Sequence, residues 1–212
     1  MLKTGGFYYE QKKITIISII AVLLLSIGGY MVYQKMKPKP FSEVAVEAKT
    51  PSFDNGDELK NASDAIVLGQ LDKRGDSQIE REATGGVIGV YRMSDFKVSE
   101  VIKDETNQNL EEGSIIPIYE NEGYDKETNT TYHIAGYEKM ENDETYMLFL
   151  SYDPEDAYYV PLGVNFGKIN IDSDKETELY GQDNIEIEKE INEVQSEALE
   201  EYDDEIKEAE NQ

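Results

Sequence analysis

Twenty consecutive residues, Ile14 to Tyr33 (ITIISIIAVLLLSIGGYMVY), carry no charge, and this stretch limits what the chain can be more than any other. As an α-helix rising about 1.5 Å per residue it spans about 30 Å, the thickness of a bilayer's hydrocarbon core. A cleaved signal peptide has an apolar core of only about 7–15 residues, followed by small residues at the cut. Ser26 and Gly28 could supply that pair, but the apolar run continues through Tyr30, Met31, Val32 and Tyr33 before Lys35, which is the length of a retained anchor. The chain has no cysteine, so no thiol is available for lipid attachment and the peptide itself must hold the membrane. Lys3, Lys12 and Lys13 precede the segment and Lys35, Lys37 and Lys39 follow it, so the positive-inside rule is nearly tied. The short head favours a signal-anchor: residues 1–13 in the cytosol, 14–33 crossing the cell membrane as a single pass, and the C-terminal domain extracytoplasmic.

Charge divides the chain in the same place. Residues 1–40 hold six lysines against one glutamate, net +5, so residues 41–212 carry −30 of the chain's −25 total. That field repels nucleic acid and bare anionic lipid, and no nucleic-acid partner is expected. The middle of the chain nevertheless has stretches rich in Ile, Val, Tyr and Phe, enough to build the core of one small domain.

Residues 34–56 read as a stalk, because Pro38, Pro40 and Pro51 interrupt regular structure. The domain is expected over residues 57–172. A short helix at Asp57–Ala62 leads into a first strand at Asp64–Gly69. Val87–Ile102 is long for one strand, and its apolar positions change parity from Ile88 and Val90 to Tyr91 and Met93, then to Phe96 and Val98, then to Val101. Such slips imply bulges, which let a long strand coil around a barrel. Ile115–Tyr119 is a third strand, pushed towards an edge by Pro117. A polar loop at Asn121–Thr130 precedes a fourth strand at Tyr132–Tyr137. Tyr146–Tyr152 is apolar on both faces and so belongs at the sheet's centre. Tyr158–Leu162 and Lys168–Ile171 complete the set, the latter with Ile169 and Ile171 inward and Lys168 and Asn170 outward.

Residues 183–210 form an acidic amphipathic helix. Ile187, Ile191, Val194, Ala198, Tyr202 and Ile206 recur every three or four positions along one face. Residues 183–212 carry thirteen Asp and Glu against Lys189 and Lys207, and like charges four apart cost an isolated helix about 0.2–0.5 kcal/mol per pair. The helix therefore needs a surface to lie on. Either its stripe packs on its own domain, or Ile187, Ile191, Val194 and Tyr202 dock a partner.

The succession DAIVLGQL, FKVSEVIKD, GSIIPI, DETYMLFL, YYVPLG and GKINID resembles a pattern in poorly characterised secreted or membrane-anchored proteins of Gram-positive bacteria. The resemblance covers roughly residues 64–171. It implies a mainly β fold, a small OB-like antiparallel barrel related in topology to the netrin and metalloproteinase-inhibitor modules. It carries no catalytic residue. Lys103 is followed by Asp104 where many members have a Lys-Gly pair, and the inhibitor modules' cysteines are absent, so their route to a catalytic zinc is closed.

Chemistry-bearing residues are sparse. His133 is the only histidine; it cannot build a multi-histidine metal site, and no Ser or Cys motif marks it as a general base. Asp172, Asp174, Glu176 and Glu178 alternate as calcium ligands can, but an EF-hand needs glycine where Thr177 stands, so a solvated acidic turn is expected with these as weak metal candidates. Asp153, Glu155 and Asp156 around Pro154 read as a hairpin loop. Forty-five acidic residues supply carboxylate pairs by number alone, whereas a hydrolase needs an aromatic-lined cleft with separated carboxyl pKa values. The tyrosines, Tyr158 and Tyr159 among them, either line a sugar- or peptide-binding surface or cover a core with wet hydroxyls. No cofactor is expected. The function these features favour is a membrane-anchored extracytoplasmic binding or scaffold module for an envelope protein or peptide, ahead of an envelope hydrolase or an acidic cation-binding surface protein.

Overall fold

The computed structural model describes residues 26–30, 33, 37–172, 178–181, 185–203 and 206. The chain divides into two units, Met1–Pro40 and Phe41–Gln212. In the first, residues 26–30 and 33 are helical, whereas 14–25, 31 and 32 of the expected anchor lie outside the described residues. No helix among the described residues is long and apolar enough to cross a membrane.

The second unit is mainly β. Its strands are β1 (Ser42–Val46), β2 (Ala65–Lys73), β3 (Ser77–Arg81), β4 (Val87–Asp104), β5 (Ile115–Glu120), β6 (Glu122–Asp125), β7 (Thr130–Ile134), β8 (Thr145–Asp153), β9 (Tyr158–Pro161) and β10 (Lys168–Asn170). Helix α1 (Gly56–Ala62) precedes β2, and α2 (Ile185–Glu201) follows β10. The larger sheet runs β10-β8-β2-β4-β5-β9, with β3 on β4. Because β8 pairs with β9 as well as β2, the run β2-β4-β5-β9-β8 returns to its start. The smaller sheet is β1-β7-β6. Both sheets are mixed where antiparallel pairing was expected, since β5 lies parallel to β9 and β1 parallel to β7.

Sequence expectations and structure part along the strands as well. The expected stalk contains β1, whose register on β7 pairs Ala45 with His133; three prolines permit a five-residue strand between them. The expected loop 121–130 contains β6, a polar strand whose glutamate and aspartate are buried. The polar β3 (SQIER), in which Ile79 is the single large apolar residue, gave no strand signal. On β4 one parity holds from Val90 to Val98, with Arg92 and Ser94 on the buried side, so apolar residues alone do not mark that face. The bulges sit further along. Opposite β2, the register skips Ser99 and Ile102, which is the slip expected between Val98 and Val101. Opposite β3 it skips Ile88, which explains why that isoleucine is 67% exposed.

Two apolar clusters occupy opposite faces of the central strands. Tyr146, Leu148 and Leu150 of β8 join Val67 of β2, Phe96 and Val98 of β4, and Ile118 of β5. Met147 and Phe149 point the other way, with Ile66 and Leu68, against Leu59 of α1, Ile191, Val194 and Ala198 of α2, and Tyr202 just beyond it. This is why β8 is apolar on both faces. Helix α1 starts at Asn55, whose side chain accepts the Glu58 N–H at 2.8 Å, satisfying one of the orphan donors of its first turn. It ends where the Ser63 hydroxyl donates to Leu59 O at 2.8 Å.

Candidate functional site

Beside the apolar clusters lies a seam of buried polar groups between the two sheets. The β7 strand places His133 with Nδ1 3.0 Å from Tyr137 O; a carbonyl only accepts, so Nδ1 carries the proton in that bond. Its Nε2 is buried without a hydrogen-bond partner, 3.7 Å from Glu43 Oε1 of β1. The ring lies flat on Tyr180, with centroids 4.0 Å apart and planes 16° from parallel. Glu122 stands 3.6 Å from His133 Nδ1, accepts the Lys139 N–H at 3.1 Å and pairs with Arg92 at 3.3 Å. Glu120 accepts from the Ser94 hydroxyl, from Met140 N–H at 2.8 Å and from Tyr137 O–H at 3.5 Å. These carboxylates are taken up by donors of the fold itself. The seam ties β5, β6 and β7 together and leaves the pair no spare oxygen aimed at a substrate.

The acidic candidates are also occupied. Asp172 accepts the Thr145 N–H at 2.6 Å, stapling the end of β10 to β8, while Asp174 and Glu176 lie outside the described residues. Glu178 accepts from Lys168 and, at 2.6 Å, from Asn170. Lys168, expected outward, is instead buried over the Tyr137 and Tyr146 rings at 5.2 and 5.3 Å. Asp153 accepts the N–H groups of Glu155 and Asp156 at 2.9 and 3.2 Å, an ordinary turn. Among the described residues no three His, Asp or Glu side chains are grouped to hold a metal ion.

Of the residues read as a docking stripe, Ile191, Val194 and Tyr202 are buried against the domain's own sheet. Only Ile187, 41% exposed, faces outward. The stripe is therefore internal packing, and the charge repulsion along α2 is offset by the apolar area it covers.

The outer face of β3, β4, β5 and β9 carries a different feature. Tyr91 and Tyr119 stack with centroids 4.7 Å apart and planes 13° from parallel, and Tyr158 lies against Tyr119 at 5.7 Å and 31°. Cross-strand register makes the row possible: Met93 faces Tyr119 and Asp95 faces Pro117, so odd-numbered residues of both strands share that face. The neighbouring Tyr159 points into the core. Burial comes first among the influences that raise the Tyr119 hydroxyl to about 12, followed by Tyr91, Glu80 and Tyr158. Burial, then Asp153, raises Tyr158. Sequence reasoning singled out Tyr158 and Tyr159 among the tyrosines, of which only Tyr158 is in the row. Tyr91 and Tyr119, not singled out, lie 28 positions apart in the chain and meet only through the β4–β5 register. Period-two spacing of Tyr91, Met93 and Asp95 was the one signal that could have marked the face.

Comparison with protein-family models, curated proteins and solved structures finds no match.

Proposed function

We propose that this chain is a single-pass membrane protein presenting an OB-like barrel outside the cell membrane as a binding or scaffold module for an envelope protein or peptide. One observation carries the reading. The pairing order β2-β4-β5-β9-β8, with the third and fifth of these strands in chain order parallel, is that of a five-stranded OB barrel, and the tyrosine row has Tyr91 and Tyr119 on its second and third strands and Tyr158 where the β8–β9 connection enters the fifth. Those strands and connections are where OB barrels take ligands. Ile27, Tyr30 and Tyr33 are exposed, which suits a lipid-facing stretch of the uncharged segment. The −30 charge of residues 41–212 keeps the module from anionic head groups and leaves its face free.

The test uses the full chain in cells, with a photo-crosslinking residue at position 119. Protease added to intact cells removes the domain, and irradiation yields a discrete crosslinked partner. Full protection, or recovery of the mature chain in a high-speed supernatant, overturns the placement; absence of any crosslink overturns the binding face.

A further inference from the structure

We propose that the tyrosine row is a recognition site for arginine-bearing peptide segments, an inference that rests on the binding-module reading and names its ligand class. Tyr91 stacks on Tyr119 and Tyr158 tilts against it, so the inner ring, Tyr119, has little face left for a sugar to cover. What the row offers a ligand is the outward ring surfaces at its two ends and a line of phenolic edges. Each end has a carboxylate in range. At the Tyr91 end Glu80 of β3 faces Gly89, on the same side of the sheet as Tyr91 and two positions from it, and at the other end Asp153 of β8 is the cross-strand partner of Tyr158. Asp95 lies on the same face opposite Pro117, and Lys97 sits at its far end opposite Ile115.

Electron-rich rings beside carboxylates, on a domain of net charge −30, select a cation. A guanidinium fits better than an ammonium. It is planar, weakly hydrated, stacks on aromatic faces and directs several N–H donors at a carboxylate while stacked. The centroid separations of 4.7 and 5.7 Å set the spacing of the ligand. In an extended peptide, side chains on one face recur about every 6.6 Å, so arginines four positions apart, about 13 Å, rather than two, straddle end rings whose centroids lie at most about 10 Å apart. A peptide of alternating arginines contains that spacing. Tyrosine has two side-chain torsions and the row is already packed, so little conformational freedom is lost when the peptide arrives.

The experiment measures fluorescence anisotropy with the full chain in detergent micelles. The probes are a fluorescein-labelled peptide of alternating glycine and arginine, the same peptide with neutral citrulline for arginine, and a labelled chitooligosaccharide. The arginine peptide binds and the citrulline peptide does not. Tyr119→Ala removes the ring against which both end rings pack and weakens binding by about tenfold, the scale of a lost cation–aromatic contact, whereas Tyr119→Phe stays near the parent value. Glu80→Gln, at an exposed strand position, weakens it by about threefold, a second reading independent of packing in the row. Equal binding by Tyr119→Ala and the parent overturns the proposal, because the general acidic field would then suffice. Tyrosine-dependent capture of the oligosaccharide without the peptide overturns the ligand class while the binding face stands. If neither probe binds and the crosslink at position 119 still forms in cells, the arginine inference alone falls.

Discussion

Lys168 Nζ and Glu178 Oε2 form an ion pair on the interior side of β10, the lysine side chain 1% exposed and its ammonium set over the rings of Tyr137 and Tyr146. Removing one partner of such a pair leaves a buried charge without compensation, at a cost of about 3–5 kcal/mol. Lys168→Met is therefore expected to lose that much in urea unfolding. Lys168→Met combined with Glu178→Leu recovers most of it, since Asn170 retains its bond to Glu144. A double variant as unstable as the single one would show that packing, not the unpaired charge, sets the loss.

Internal packing of α2 predicts a contrast along one helix. Ile191→Ala removes a buried side chain from the cluster containing Met147 and Phe149 and costs about 2–5 kcal/mol. Ile187→Ala changes stability by no more than about 0.5 kcal/mol because that residue is exposed. Thermal unfolding of the two variants decides it, and equal losses would contradict the packing.

Gly56 sits where α1 meets α2. A Cβ there would lie 2.7 Å from Ala198 N, a backbone atom that cannot move without displacing the helix. The Gly56 N–H also donates to Glu197 at 3.0 Å. Gly56→Ala is expected to cost about 1–3 kcal/mol by overpacking, despite alanine's better helix propensity. A lowered urea midpoint with the slope unchanged is the expected result, and an unchanged midpoint would show that α1 and α2 can separate freely.

Stability should fall at both ends of the pH scale. Burial pushes the Asp104 and Asp125 carboxyls up, but donors outweigh it: Thr106 and Leu110 for Asp104, and Thr128, Arg81 and Glu127 for Asp125. Both are therefore held below their usual 3.8. With lower pKa values folded than unfolded, their contribution is fully present above about pH 4 and is lost as pH falls through the folded values. Asp125→Asn should flatten that acid limb. Tyr137 and Tyr146 are raised above 10, by burial first. Their contribution is present below pH 10 and disappears as pH rises further. Phenolate absorbance should thus appear together with unfolding, and early ionisation of all the tyrosines in the folded protein would refute the burial.

How much could be read beforehand depended on how local the cause was. The bulge after Val98 was legible because apolar parity slips there, and the central position of β8 because both its faces are apolar. The buried side of β4 was hidden by Arg92 and Ser94, whose partners Glu122 and Glu120 come from distant strands. The inward turn of Lys168 was hidden for the same reason: a lysine is stable inside only because Glu178 and two tyrosine rings converge on it. Of the three tyrosines in the row of the candidate site, only Tyr158 was singled out beforehand.

Sequence by itself determined the strand-rich class of the domain, the alternation that splits β2 and β8 between two apolar clusters, and the stripe on α2, because period and polarity are properties of neighbouring residues. Tertiary structure alone decided that the stripe turns inward, that β1 joins β7, and that Tyr91, Tyr119 and Tyr158 form one row. Those outcomes depend on strand register between segments far apart in the chain, where a shift of a single residue would send every side chain to the opposite face.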